Sequence, residues 1–135
     1  MHKEILVSYG NLQAEIDEGI AELVLECWKA GIVTSFCCEN EGDSGEIWLQ
    51  FPKPEYARKF MNITMCDADP GEAWKWEYSA GISDLSIFSR PGIPWQKRKI
   101  GKLRKYQLTI GIRFPILYYE RLLNNLKKYN ERIGK

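Results

Sequence analysis

Residues 106–114 read Tyr-Gln-Leu-Thr-Ile-Gly-Ile-Arg-Phe and alternate without a break. Tyr106, Leu108, Ile110, Ile112 and Phe114 fall on one parity, and Gln107, Thr109, Gly111 and Arg113 on the other. Successive side chains of a strand point to opposite faces, so this is a strand with one apolar and one polar face. Such a strand belongs to an antiparallel sheet that is covered on one side and wet on the other. The rest of the chain must supply the cover.

Helical stripes supply it. Ile20, Leu23, Val24, Cys27 and Trp28 recur at three- and four-residue steps, with Asp17 placed to cap and Gly31 placed to stop. Glu15, Glu18, Glu22 and Glu26 favour the outer face of this helix. Pro54 suits the first turn of a second helix, whose stripe is Ala57, Phe60, Met61 and Thr64, and Asp69-Pro70-Gly71 ends it. Pro115 opens a third, with Tyr119, Leu122, Leu123, Leu126 and Tyr129 inward. Lys127, Lys128 and Arg132 suit the negative end of its dipole.

Strands fill the gaps. Ile5–Val7 predicts a short one. Ile32–Cys38 and Glu46–Phe51 predict a pair, joined by turn-forming residues 39–45. Ala73–Tyr78 alternates, with Trp74, Trp76 and Tyr78 on one face, and Leu85–Phe88 predicts a further strand. The expected fold is α+β: an antiparallel sheet of four to five strands with helices on one face, in the order α-β-β-α-β-(β)-β-α. The two helix-plus-strand-pair units resemble a loose repeat without matching residues.

At 135 residues the chain is long enough for one core, and a single domain over 1–135 is expected. No apolar run approaches a membrane span. Met-His-Lys-Glu-Ile-Leu-Val has too short an apolar core for a signal peptide, and a cytoplasmic protein is expected. Cys27, Cys37, Cys38 and Cys66 are too few and too irregular for a disulfide scaffold.

Net charge is +1, but the halves differ. Residues 1–72 hold 5 Lys/Arg against 14 Asp/Glu, a balance of −9; residues 73–135 hold 14 against 4, a balance of +10. Much of the positive charge lies in the irregular loop 89–105, "SRPGIPWQKRKIGKLRK". There Arg90, Lys97, Arg98, Lys99, Lys102, Arg104 and Lys105 surround Trp95. Cations neutralise phosphates, and an aromatic ring stacks on an unpaired base. Arg113, Lys127 and Lys128 lie further along. The segment therefore suits a nucleic acid, an acidic protein surface, or the acidic half of its own chain. A homo-oligomer or adaptor built on exposed aromatics is the alternative use.

Other motifs carry less. Gly42-Asp43-Ser44-Gly45 is the tetrapeptide around the serine of trypsin-like proteases, yet His2 is the only histidine and Glu46-Ile47 follows. Turn chemistry accounts for it. Cys37 and Cys38 are adjacent, with Cα atoms about 3.8 Å apart, too close for an ordinary disulfide. If Phe36 faces the core, Cys38 shares its row, with Cys27 as a neighbour, and Cys37 takes the other face. Cys37 and Cys38 are the candidates for a thiol or metal activity, but the spacing fits zinc poorly. Glu39, Glu41 and Asp43 oppose a reactive thiolate. Glu39, Glu41, Asp43 and Glu46 lack the calcium-loop pattern. No phosphate-binding loop or dinucleotide fingerprint occurs, and no cofactor is expected. The balance favours a binding module over an enzyme.

The run from Asp17 to Phe51 resembles a loose class of small bacterial and phage proteins. The shared pattern is an acidic helix start, Trp28, Gly31-Ile32-Val33-Thr34, Cys37-Cys38, an acidic loop and a strand ending in Phe51. The resemblance implies a helix followed by a strand pair and brings no activity with it.

Overall fold

The computed structural model describes residues 3–39, 45–84 and 106–134, with the side chains of 36–39 and 83–84 outside the description. The chain runs as three successive strand–strand–helix units. They are β1 (Glu4–Tyr9), β2 (Leu12–Asp17) and α1 (Ala21–Lys29); β3 (Phe36–Glu39), β4 (Glu46–Phe51) and α2 (Pro54–Thr64); and β5 (Glu77–Asp84), β6 (Tyr106–Pro115) and α3 (Tyr119–Ile133). β1 and β2 form a two-stranded sheet. The other four strands form an antiparallel sheet in the order β3-β4-β6-β5. The α+β class holds.

β6 carries the face division expected from its sequence. Ile112 and Phe114 are buried, and across the ladder they meet Leu49 and Ile47, also buried. α2 packs on β4 and β6, and α3 packs on both α1 and α2, so the helices lie on this one face. An aromatic chain runs through the core: Phe51 to Phe60 at 5.3 Å, Phe60 to Phe114 at 6.4 Å, and Phe114 to Trp76 at 5.2 Å. The stripe of α1 is buried as expected, and in α3 Leu122, Leu123 and Leu126 are buried while Tyr119 and Tyr129 are half-buried.

α1 ends where Gly31 stops it. The Ile32 N–H donates to the Cys27 carbonyl at 2.8 Å, and the Gly31 N–H to that of Trp28 at 3.0 Å. This bond pair needs a left-handed residue, and Gly31 supplies it at φ 81°. A Cβ there would meet only Lys59 Nζ, at 3.3 Å, the end of a flexible side chain. The cost of Gly31→Ala is therefore conformational, about 1–2 kcal/mol. Urea denaturation should show the midpoint fall with an unchanged slope.

Four expectations need correction. Asp17 closes β2 and no side-chain cap forms there; a 3-10 turn, Glu18–Ile20, leads into α1 instead. Glu15 lies in β2, and Glu26 faces inward at 8% exposure. Asn130 of α3 donates to both the Glu26 carbonyl at 3.0 Å and its carboxylate at 2.9 Å. Residues 73–76 are not a strand. Gly71, at φ 80°, turns the chain into a 3-10 turn over Glu72–Lys75, which leaves Trp74 87% exposed and buries Trp76 to 5%. Finally, β1 and β2 form a full hairpin around Gly10-Asn11, with Gly10 at φ 58° as a two-residue hairpin loop requires. The expected strand at 85–88 and the loop 89–105 lie outside the described residues.

Candidate functional site

Of the groups singled out in the sequence, Arg90, Trp95, Lys97, Arg98, Lys99, Lys102, Arg104 and Lys105 lie outside the described residues. So do His2, Glu41, Asp43 and Ser44. What the structure describes is the anchorage of the basic segment. Asp84 ends β5, Tyr106 begins β6, and the two are register partners. The intervening residues 85–105 hold seven Lys/Arg and no Asp/Glu.

The sheet that carries this segment has a face away from the helices. Register assigns its rows. Trp48 of β4 stands opposite Arg113 of β6, which stands opposite Glu77 of β5; the next row is Gln50, Gly111 and Ser79; then come Thr109 and Gly81. Among the described side chains this face is polar apart from the half-buried Trp48. Gln50 donates to the Thr109 hydroxyl at 3.3 Å, and Arg113 meets Glu77 at 3.7 Å in an exposed, weak pair.

Gly111 shapes the centre. A Cβ there would stand 2.6 Å from the Ser79 hydroxyl and 2.9 Å from Trp48 Nε1. With only a hydrogen in that place, the indole N–H and the hydroxyl close over the backbone. Gly81 does the same for Thr109, whose hydroxyl would lie 2.8 Å from an added Cβ. Trp48, Glu77, Tyr78, Ser79, Gly111 and Arg113 line a shallow hollow of about 130 Å³. Its groups are an aromatic ring, a guanidinium, a hydroxyl and a carboxylate. That set suits a planar, hydrogen-bonding ligand with a nearby negative charge. The sequence held the signal: Ile47, Leu49 and Phe51 are the buried parity of β4, and Trp48 stands on the polar one.

The cysteines separate. In the backbone register Cys37 stands opposite Leu49, Cys38 opposite Trp48 and Phe36 opposite Gln50. Which face each of these side chains takes lies outside the described residues. Cys27 is buried on α1 and Cys66 is exposed. Among the described residues no group of three or more His, Cys, Asp or Glu is placed to hold a metal ion.

Part of the charge asymmetry is consumed inside the fold. Lys127 of α3 meets Glu22 of α1 at 2.5 Å. Arg121 bonds Glu72 through two nitrogens and Asp67 at 3.3 Å, and Asn125 joins Asp67 at 3.0 Å and the Thr64 carbonyl at 2.7 Å. Glu72, Leu117, Tyr118 and Arg121 line a second hollow of about 220 Å³, but its charges already satisfy one another. Arg121, with the Asp69 N–H, holds the Glu72 carboxyl down to about 2 from an ordinary 4.5. A folded-state value below the unfolded one means stability that is present above about pH 4.5 and lost as pH falls toward about 2. Glu72→Gln should therefore be less stable than the parent at neutral pH. The gap between their denaturation midpoints should narrow on acidification through that window.

No helix among the described residues is long and apolar enough to cross a membrane. No family model matches the chain, and no match to a curated protein or a solved structure is found.

Proposed function

We propose that the protein binds single-stranded nucleic acid, with bases on the open sheet face and phosphates on the segment 90–105. Trp48 is the stacking surface on the sheet. Arg113 beside it offers a planar cation for a phosphate or a base edge. Arg90, Lys97, Arg98, Lys99, Lys102, Arg104 and Lys105 supply the charge that tracks a backbone, and Trp95 adds a second ring.

One observation carries the reading. An acid-free run of 21 residues with seven cations leaves and re-enters adjacent strands of a sheet whose face away from the helices holds Trp48 and Arg113. The cations of α3 support it from the other side. Lys127 and Arg121 already take Glu22, Glu72 and Asp67, so those three acids are committed elsewhere. Gly81, Ser79 and Thr109 keep the face low beside the indole, leaving room for a base rather than for a helix.

Fluorescence anisotropy with labelled single-stranded RNA, single-stranded DNA and duplex DNA tests it at about 50 mM salt. Single strands should bind more tightly than duplex, because a duplex hides the faces that stack. No binding to any probe would overturn the proposal, and a preference for duplex would overturn the stacking.

A further inference from the structure

The hairpin at the start of the chain has an edge whose chemistry matches itself. β1 pairs with β2 on one side, and no other described strand pairs with it. The ladder register runs Glu4 to Asp17, Leu6 to Glu15 and Ser8 to Gln13, and the Glu18 N–H donates to the Lys3 carbonyl at 2.7 Å. Bonded and non-bonded pairs alternate along an antiparallel ladder. Lys3 is a bonded position, so Ile5, Val7 and Tyr9 are too. Glu4, Leu6 and Ser8 therefore turn their peptide groups to the outer edge, where another strand can pair with them.

The side chains on that strand point the same way. Leu6 is 61% exposed on a face otherwise made of Glu4, Ser8, Gln13, Glu15 and Asp17. On the opposite face Ile5 is 38% exposed. Ile5, Leu6, Val7 and Ser8 of β1, with Ala21, Glu22 and Leu25 of α1, line a groove of about 360 Å³.

We propose that β1 pairs antiparallel with β1 of a second copy, about a two-fold axis through Leu6. The result is a four-stranded sheet, β2-β1-β1-β2. In this register Leu6 meets Leu6, Ile5 meets Val7, Glu4 meets Ser8 and Lys3 meets Tyr9. Every outward peptide group of Glu4, Leu6 and Ser8 finds a partner, giving about six hydrogen bonds. The register selects a second copy as the occupant: Leu6 meets Leu6, and across the new ladder neither Lys3 nor Glu4 faces its own sign, while Glu22 at the groove rim is already neutralised by Lys127 at 2.5 Å. The exposed Ile5, Leu6 and Tyr9 of the strand each gain a neighbour in one step. Such a contact is isologous and closes on itself, which stops growth at two.

Sedimentation velocity over about 1 to about 200 µM protein tests it. The mass should rise with concentration toward twice 15.7 kDa. Leu6→Lys sets two like charges on the axis and should return the protein to a monomer with an unchanged helical circular dichroism signal. Leu6→Cys, in a Cys66→Ser background, should oxidise to a dimer joined through residue 6, because bonded-pair Cα atoms lie about 5.5 Å apart, within disulfide range. A monomer at every concentration would overturn the proposal. So would a dimer that survives Leu6→Lys.

Discussion

Phe114→Ala is expected to cost about 3–5 kcal/mol, the range for deleting a buried aromatic ring. Small domains hold only about 5–15 kcal/mol in total, so one side chain carries a large share of the fold. The ring is fully buried, opposite Ile47 on β4, and lies within 5.2 Å of Trp76 and 6.4 Å of Phe60. Its removal breaks the aromatic chain at the point where sheet, α2 and the turn before β5 meet. Leu108 makes the contrast. It sits on the same strand and the same parity, but it is exposed beyond the helical cover. Leu108→Ala should shift stability by about 1 kcal/mol or less. Equal losses at the two sites in urea denaturation would contradict the packing described.

The second large effect concerns binding. Exchanging Lys97, Arg98, Lys99, Lys102, Arg104 and Lys105 for Gln should remove most of the affinity for single strands and flatten its salt dependence. If five phosphates are neutralised, the affinity of the parent protein falls about a hundredfold between about 50 and about 200 mM salt. The exchanged protein should show a much shallower slope, because fewer counterions are released. A slope that does not change would place the phosphate contacts elsewhere. Lys127→Gln serves as the control. That cation is committed to Glu22, so its loss should leave the slope alone.

The sequence disclosed the helices more fully than the sheet. Each helix has a stripe that a single period exposes, and α1 has a glycine stop whose bonds are present. Strand boundaries depend on partners. Trp74, Trp76 and Tyr78 alternate, yet the turn at Gly71 and the grip of Arg121 on Glu72 pull the first two out of the sheet. β5 runs on through Ser79, Gly81, Ser83 and Asp84, poor strand formers that β6 holds in place. The β1–β2 hairpin was readable in Gly10-Asn11 between the apolar run Ile5–Val7 and the alternating run Leu12–Asp17. The open face was readable in part: alternation assigns Trp48, Gln50, Thr109 and Arg113 to the polar parities of β4 and β6, but the register that sets them side by side depends on strand partners and not on any one strand. Trp48 on the polar parity of β4 was the clue.

Measured at fixed low salt with the basic segment intact, the affinity of Trp48→Leu for a single-stranded probe tests the open face most directly. Stacking of one base contributes about 1–3 kcal/mol, so binding should weaken about 5- to 150-fold while the salt slope stays the same. Trp48→Phe should recover part of the loss. An affinity for Trp48→Leu within twofold of the parent protein would contradict the account.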